Sequence, residues 1–296
     1  EKEKLNVDMY ALNNRVNDLY FGILLLDEQI KQNTLLQDEL ERNYRQITAY
    51  VENGIANQAD LDAVKVEQLN TKQKRVDLVS SRAAYLKMLS LLVGEALSPE
   101  TVLEKPVPQS TVSAVSEIRR PELALFDAQG AGLQVQEKAL NVRHLPQFGL
   151  FVQGAYGNPG LDMLKNEFFP YYMAGVRLSW NFGSLYTLKN DRRVIEKKRQ
   201  QLDNNRDVFL FNTRLEMTQQ DQAIHSLEKQ MRDDDEIIRL RTNIRKAAEA
   251  KVANGTLTVT EMLRELTNES LARQSKAMHE IQRLMGIYQL KYTIND

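Results

Sequence analysis

The residues able to do acid–base or metal chemistry are few in this sequence, and their spacing suits neither. The three histidines, His144, His225 and His279, are far apart, and the absence of cysteine excludes a disulfide framework and a thiolate zinc site. His279 precedes a glutamate, but Arg283 stands where a zinc-protease motif requires its second histidine. Neither a G-x4-G-K-[ST] phosphate loop nor a G-x-S-x-G nucleophile motif occurs. We therefore predict no enzymatic activity, no metal and no cofactor.

The densest group of carboxylates is the run from Asp233 to Glu236. Such a run can bind calcium in principle, but it lacks the glycine that shapes a calcium-binding loop. A solvated helix face is the more common setting for such a run, and we expect that setting here.

Composition narrows the class of protein further. The chain has 296 residues, with 39 Lys and Arg against 40 Asp and Glu, so its net charge of −1 leaves no basic footprint for nucleic acid. No stretch approaches the ~18 uncharged apolar residues of a membrane-spanning helix. The opening Glu-Lys-Glu-Lys lacks the apolar core of a signal peptide, so we expect any such signal to have been removed or to lie upstream.

The prolines mark the organisation of the chain. All seven lie between Pro99 and Pro170, so residues 1–98 and 171–296 contain none. Because proline breaks helices and glycine weakens them, this distribution predicts two long helical arms around an irregular centre.

Apolar residues in the first arm repeat with the alternating 4-3 spacing of a coiled coil. Twelve of the fourteen seam positions between residues 5 and 51 are apolar, which predicts a long helix that packs along one seam. The turn at Asn53-Gly54 then leads into a second helix, so the arm is predicted to be a helical hairpin. The apolar seam residues are Leu5, Met9, Leu12, Val16, Leu19, Ile23, Leu26, Ile30, Leu40, Tyr44, Ile47 and Val51.

The second arm has the same plan. Its Asn-Gly turn lies 201 residues after the first, and under that shift Asp60 falls on Glu261 and Leu61 on Met262. We interpret the chain as a duplication of one hairpin unit. A chance coincidence of two Asn-Gly turns is the alternative.

The centre of the chain predicts one β-hairpin. Apolar residues alternate over residues 147–156 and again over residues 174–182, with a turn at residues 157–171. This alternation is typical of a membrane-barrel strand, and also of any half-buried antiparallel strand in water. A lone hairpin is marginal in water, so several copies of the chain would have to share a sheet. The positions that would face lipid are Phe148, Leu150, Val152, Tyr156, Val176, Leu178, Trp180 and Phe182.

The order of these features resembles the TolC-like outer-membrane efflux protein family. Residues Arg120–Leu123 (RPEL) open a helix that ends at His144–Phe148 (HLPQF), similar to the family's NPEL…LPxL lead into a membrane hairpin. Residues Gly175–Gly183 (GVRLSWNFG) resemble its return strand. Both helical turns resemble its G-x5-D-(V/L) tip, at Gly54–Leu61 and at Gly255–Met262. No single motif is specific, but together they span nearly the whole chain.

The resemblance implies a mainly α fold of very long antiparallel helical hairpins, a duplicated coiled-coil repeat, with one β-hairpin that belongs to an outer-membrane β-barrel. It implies a homotrimeric channel, the exit duct of a tripartite efflux pump or type I secretion system, that conducts drugs, small molecules or peptides. The implied location is the bacterial outer membrane, with a periplasmic helical tunnel. The implied partners are a periplasmic adaptor (membrane fusion protein), an inner-membrane transporter and outer-membrane lipid, with no nucleic acid. The domains would be a first helical hairpin (1–93), an equatorial linker (94–120), a helix leading to the barrel (121–146), the membrane hairpin (147–183) and a second helical hairpin (184–296).

One departure from the family concerns the number of β-hairpins. Family members carry a β-hairpin in each repeat, giving four strands per chain in the trimer, whereas this sequence has only the hairpin of the second repeat. Its beginning corresponds to the point just after the first hairpin, so we expect an N-terminally incomplete chain.

The resemblance also implies two sets of functional residues at the helical turns. Asp60 and Glu261 would form rings of carboxylates that favour cations and help to hold a gate. The family's second acidic position is Ala63 in one copy and Arg264 in the other, and Arg264 could pair with an acid on a neighbouring chain. A solvated surface acid is the alternative for each carboxylate, and an asparagine-capped glycine turn is the alternative for the tips. The residues that would contact the adaptor are Asn53, Gly54, Ile55, Asn254, Gly255, Thr256 and Leu257.

Two other classes of protein remain as alternatives. A periplasmic adaptor also has a long helical hairpin, but it should show a β-rich module split around a single hairpin. A coiled-coil structural scaffold would need neither the strand alternation around Trp180 nor the RPEL motif.

Overall fold

A computed structural model describes residues 1–107, 116–143, 145–164 and 166–296. Its elements are helices α1 (Lys2–Glu52), α2 (Gln58–Val93) and α3 (Pro121–Arg143), strands β1 (Gln147–Gly157) and β2 (Phe169–Ser179), and helices α4 (Ser184–Ala253) and α5 (Val259–Ile294). Over the described residues this order confirms a mainly helical chain with two helical hairpins and one β-hairpin. None of the described helices carries an apolar stretch long enough to span a membrane.

The chain divides into two compact units. The first combines Glu1–Pro121 with Phe211–Asp296, and the second is Glu122–Leu210. The first unit therefore holds α1, α2, α5 and the C-terminal part of α4. The second holds α3, the two strands and the N-terminal part of α4.

In the first unit, α1 and α2 pack antiparallel along the predicted seam. Buried side chains line this contact from one end, at Leu19, Ile23, Leu86 and Leu89, to the other, at Leu40, Ile47 and Val64. The seam prediction is wrong for Leu5, Met9 and Leu12, which are exposed. Since α1 has 51 residues and α2 only 36, the first turns of α1 extend beyond the end of α2 and lack cover from it.

Helices α4 and α5 form the second hairpin, and its contact is more polar. Met217 and Ile224 pack against Leu290 at one end. Toward the turn, polar pairs follow: Glu228 with Arg283 at 3.0 Å, Asp234 with His279 at 2.9 Å, and Thr242 with Glu269 at 2.7 Å. Near the turns the two hairpins share a core, because Val252, Val259, Met262 and Leu266 pack with Leu40, Ile47 and Val64.

The described part of the predicted linker, residues 94–107 and 116–120, lies against these helices. The Arg82 guanidinium pairs with Asp27 and donates to the carbonyl oxygens of Pro99 at 2.6 Å and Thr101 at 2.7 Å. The Tyr20 hydroxyl donates to the carbonyl oxygen of Glu104 at 2.6 Å. Residues 108–115 of this linker, like His144 in the predicted lead into the hairpin, lie outside the described residues.

The 201-residue shift inferred from the sequence also relates the helix boundaries. Helices α2 and α5 both have 36 residues, and each begins and ends at positions that differ by 201. Each is followed by a C-cap residue in the left-handed conformation, Gly94 with φ 77° and Asn295 with φ 64°. The repeat therefore extends to the local backbone geometry.

In the second unit, polar pairs join α3 to the first part of α4. Glu137 accepts from Arg199 at 2.7 Å, and Asn141 accepts from Arg192 at 2.8 Å. The rings of Phe126 and Phe209 lie 5.8 Å apart.

Strands β1 and β2 are antiparallel, in a register that pairs Gln147 with Ser179 and Gly157 with Phe169. This register corrects the predicted return strand in two ways. The strand begins at Phe169, so part of the predicted turn is strand, and it ends at Ser179. Trp180 and Phe182 therefore lie beyond β2, where their rings contact each other at 4.3 Å. The apolar alternation in the sequence continues past Ser179 to Phe182. Alternation alone does not show where the hydrogen-bonded pairing between the strands ends.

We predict that Gly255→Ala destabilises the second helical turn by about 1–2 kcal/mol, because φ is +69° at this position and a Cβ disfavours that conformation. Local hydrogen exchange at the turn measures the effect. Gly132→Ala is the matched control: it lies within α3 with no atom within 4 Å of an added Cβ, so alanine should slow exchange there. Faster exchange in both variants, or in neither, would contradict the assignment.

Candidate functional site

The two helical turns carry most of the predicted functional residues, and they share one hydrogen-bond pattern. The Asn53 side chain donates to the Ala49 carbonyl oxygen at 2.7 Å, and the Gly54 amide donates to Val51 at 3.1 Å. The residues shifted by 201 repeat both bonds: Asn254 donates to Ala250 at 2.8 Å, and the Gly255 amide donates to Val252 at 2.9 Å. Asparagine thus caps the helix end while glycine supplies the left-handed residue of the turn.

The helix after each turn begins with a capping box, and the predicted gate acids belong to these boxes. The Asp60 amide donates to the Asn57 side chain at 3.0 Å, and the Asp60 carboxylate accepts from the Asn57 amide at 3.1 Å. In the second turn the Glu261 amide donates to the Thr258 hydroxyl at 3.3 Å, and the Glu261 carboxylate accepts from the Thr258 amide at 3.2 Å. Each acid therefore stabilises the start of its own helix.

The settings of the two acids differ. Asp60 is half-buried, whereas Glu261 is exposed. The Thr258 hydroxyl and amide, and to a smaller extent the nearby Arg264, hold the pKa of Glu261 below its usual value. Glu261 is therefore a carboxylate at neutral pH. Arg264 is exposed, and its guanidinium lies 3.6 Å from Glu265 of the same helix.

The tip residues predicted to contact an adaptor are mostly exposed. Ile55 has half its side chain in solvent, and Asn53, Gly54, Asn254, Gly255 and Thr256 are exposed as well. Leu257 differs, because it packs against the core shared by the two hairpins. An exposed isoleucine at one tip, without an exposed apolar counterpart in the Asn254–Leu257 turn, makes the two tips chemically distinct.

Sequence reasoning missed a polar cluster that joins the two hairpins near the tips. Arg245 of α4 pairs with Glu39 of α1 at 3.3 Å and also with Glu249 and Glu269. Glu269, itself buried, further accepts from Arg273 at 2.6 Å and from Thr242 at 2.7 Å. The i,i+4 spacing of Glu269 and Arg273 is visible in the sequence. The contact between Arg245 and Glu39, 206 residues apart, has no sequence signal.

Hydrogen bonds decide the charge of Glu269. Burial alone would raise the pKa of its carboxyl group, but the bonds it accepts from Arg273, Thr242 and Arg245 outweigh that effect and hold the pKa below its usual value. A lowered folded-state pKa gives stability that is present above the unfolded-state pKa and lost as the pH falls through the folded-state pKa. The cluster therefore stabilises the two-hairpin unit at neutral pH and weakens in acid.

The β-hairpin has one continuous apolar face. Because cross-strand partners share a face, the register places Phe148 beside Leu178, Leu150 beside Val176, and Val152 beside Ala174. The large side chains of this face are exposed within the chain. All the predicted lipid-facing residues that lie within the strands, from Phe148 to Tyr156 in β1 and at Val176 and Leu178 in β2, are therefore on one face.

The other face of the hairpin is mixed. Gln147, Gln153 and Arg177 lie on it together with small residues and with larger side chains such as Tyr171 and Met173. The ring of Phe151 covers Gly175, which has no side chain, and the Arg177 guanidinium lies 5.6 Å from that ring. One face is therefore continuously apolar, whereas the other combines polar, small and aromatic side chains.

We predict that Glu269→Gln destabilises the two-hairpin unit by about 1–3 kcal/mol at pH 7, because charge-assisted hydrogen bonds with Arg245 and Arg273 are lost. The difference from wild type should be much smaller in strong acid, at about pH 2, because this stability is lost as the pH falls through the lowered folded-state pKa of the carboxyl group. Thermal unfolding followed by circular dichroism at both pH values measures this. Glu236→Gln, which removes only an exposed pair with Arg239, is the control and should change little. Equal destabilisation of Glu269→Gln at both pH values would contradict the charge argument.

Comparison with solved structures identifies a fold. No protein-family model matches the chain, and no curated protein matches its sequence. The outer membrane protein VceC of Vibrio cholerae superposes with a TM-score of 0.79 at 11% identity, over 96% of this chain and 70% of VceC. CusC, described by its transmembrane channel formation, gives 0.79 at 16% identity, over 99% of this chain and 70% of CusC.

The CmeC outer membrane channel of Campylobacter jejuni is a third similar structure. It gives a TM-score of 0.74 at 12% identity, over 99% of this chain and 66% of CmeC. These neighbours are outer membrane proteins or channels, not enzymes. The chain therefore has the fold of the outer-membrane efflux channels that its motifs resemble.

Proposed function

We propose that this chain forms part of an outer-membrane channel that serves as an exit duct in efflux, with its β-hairpin in the outer membrane and its helical hairpins in the periplasm. One observation carries the proposal: the β-hairpin has a continuous exposed apolar face. The superposition of nearly the whole chain on outer membrane proteins and channels supports it. Lipid is the medium that suits such a face next to a mixed polar one.

A conducting assembly requires several copies. The sheet has two strands, so each strand has one edge without a partner among the residues that the structure describes. Open sheet edges are not tolerated in lipid, so further strands must close the sheet. We propose a homotrimer, as the family resemblance implies.

The proposed pathway needs partners on the periplasmic side. We propose that the exposed tip residues around Asn53–Ile55 and Asn254–Leu257 dock on a periplasmic adaptor, which links the duct to an inner-membrane transporter. The exposed Ile55 side chain supports this role, because an apolar residue at a turn gains free energy when a partner covers it. The cargo proposed is drugs, small molecules or peptides, for an efflux pump or a type I secretion system.

We further propose that Asp60, Glu261 and Arg264 line the narrow end of the duct. In a trimer each residue occurs three times, and rings of carboxylates favour cations. Glu261 is exposed, so its carboxylate would be charged at neutral pH and free to face a pore. The capping boxes hold both carboxylates in fixed positions at the starts of α2 and α5.

A charge on the apolar face of the hairpin should prevent membrane insertion. We predict that Leu178→Arg costs about 2–4 kcal/mol if this face meets the bilayer midplane, and that it shifts the full-length protein out of the outer-membrane fraction. Ser179→Arg places the same charge on the opposite face, next along the strand, and should fractionate as wild type. Normal fractionation of both variants would contradict a lipid-facing role.

Neutralising the tip acids should change conduction. The full-length wild-type protein should conduct ions across a planar bilayer, and Asp60→Asn with Glu261→Gln should reduce its preference for cations measured from reversal potentials. At position 261 a Gln side chain can still complete the capping box, so Glu261→Gln alone separates charge from helix capping. Glu236→Gln, an exposed acid away from both tips, is the control. No conduction by the wild type would overturn the proposed function; unchanged selectivity would overturn only the gate.

A further inference from the structure

The base of the β-hairpin, where Gln147 pairs with Ser179, is flanked by basic side chains. On one side, residues 184–199 at the start of α4 hold six basic residues against two acidic ones. On the other side, Arg143 is exposed at the end of α3. The whole chain has a net charge of −1, so this positive charge is a local feature. The six basic residues of α4 are Lys189, Arg192, Arg193, Lys197, Lys198 and Arg199.

Three of these cations form a stripe along one face of α4. Lys189, Arg193 and Lys197 recur at intervals of four residues, and helix positions four apart lie on the same face. All three side chains are exposed, whereas Ile195, on the opposite side of the helix, is buried. We call Lys189, Arg193 and Lys197 the basic stripe.

The cations of the basic stripe are not paired with acids of the chain. Within the described residues, Lys189 and Arg193 form no ion pair, and Lys197 donates to a glutamine side chain at 2.9 Å. Arg199, which lies off the stripe, does pair with Glu137 of α3, at 2.7 Å. The charge of the basic stripe is therefore available to an external anion.

Aromatic side chains lie between the apolar face of the β-hairpin and the basic stripe. Trp180 and Phe182 follow β2, and both are exposed, with their rings 4.3 Å apart. Tyr186, one helical turn before Lys189, is 91% exposed. Tyrosine and tryptophan are enriched where lipid tails meet headgroups, and basic side chains extend into the headgroup region. The order apolar, aromatic and basic follows the change from lipid tails to headgroups.

The distances along α4 decide which cations can reach a headgroup. A helix rises ~1.5 Å per residue, so Lys189 and Arg193 lie at most about 8 and 14 Å from the level of the first residue of α4. A headgroup layer is about 5–8 Å thick, and attraction between charges extends about 8 Å further at physiological salt. Lys189 and Arg193 are within this range, whereas Lys197, about 20 Å along the helix, is beyond it.

We infer that Lys189 and Arg193 bind the headgroup phosphates of anionic phospholipid in the membrane leaflet next to the helical hairpins. A zwitterionic headgroup carries an ammonium or choline group that offsets its phosphate, so the two cations favour phosphatidylglycerol over phosphatidylethanolamine. This inference rests on the membrane location of the β-hairpin proposed above, and it adds a lipid class and the residues that select it. Continuity with the apolar face and the aromatic residues favours lipid over a water-soluble polyanion.

Lipid binding by the purified full-length protein tests the inference. With equal amounts of phosphatidylglycerol and phosphatidylethanolamine in detergent micelles, native mass spectrometry should detect more phosphatidylglycerol on the wild type. Lys189→Gln with Arg193→Gln should reduce this ratio by about fivefold for each cation removed. The matched control, Lys229→Gln with Arg232→Gln, removes the same charges from exposed positions of α4 outside the unit that holds the β-hairpin, and should leave the ratio unchanged.

A charge-conserving variant separates electrostatic binding from a structural effect. Lys189→Arg with Arg193→Lys keeps both charges and should keep the preference for phosphatidylglycerol. Circular dichroism checks that each variant retains its helix content. Added salt should lower the wild-type preference, because the two cations are exposed and their attraction is screened.

The outcomes distinguish this inference from the proposed function. Loss of the preference in the charge-conserving variant, or in the matched control, would overturn the role of the two cations. Displacement of phosphatidylglycerol by excess inorganic phosphate would show a free-phosphate site and overturn the lipid assignment. So would variants that lose binding to purified peptidoglycan but keep the lipid ratio. A wild-type protein that conducts ions without preferring phosphatidylglycerol overturns this inference alone, whereas one that does not insert into bilayers overturns both proposals.

Discussion

A long helix with an apolar stripe cannot remove that stripe from water by itself, and the architecture of this chain depends on how the stripe is covered. Burial of apolar area is worth about 25 cal/mol per Å², so the helix gains most by folding back on a partner. The turns at Asn53-Gly54 and Asn254-Gly255 make this possible, because a left-handed glycine and a following capping box reverse the chain within a few residues. One hairpin covers only one side of each helix, however. The other sides must be covered by the second hairpin or by another chain.

The two helical hairpins differ in the side chains that pack between their helices. Helices α1 and α2 meet through aliphatic side chains along most of their contact. Helices α4 and α5 rely more on ordered polar pairs, and the carboxylates of Glu269 and Asp234 are buried there. Apolar packing is insensitive to pH, whereas the Glu269 group needs its carboxylate charged. The α1–α2 and α4–α5 contacts therefore respond differently to acid, although the two hairpins have the same backbone arrangement.

The two acids that we propose as gate residues also have a structural role in the capping boxes. Asp60 and Glu261 fix the starts of α2 and α5 through bonds to the preceding backbone amides. The same bonds set where the carboxylates lie at the tips. An acid is preferred at this capping-box position for structural reasons, and a trimer would repeat its charge three times. Substitutions that keep the cap are therefore needed to distinguish the structural role from the proposed gate role.

The amino-acid sequence was enough to predict the helical arms, both turns, the 201-residue repeat and the β-hairpin, because these features depend on local propensity and spacing. It also placed Asp60 and Glu261 at equivalent positions, although their capping partners became clear only from the hydrogen bonds. Tertiary structure decided the end of β2 at Ser179, the exposure of Leu5 and its neighbours, and the Arg245–Glu39 pair. These three features depend on contacts between segments that are far apart in the sequence. A periodic pattern shows that a helix has an apolar side, but it does not show which segment covers that side.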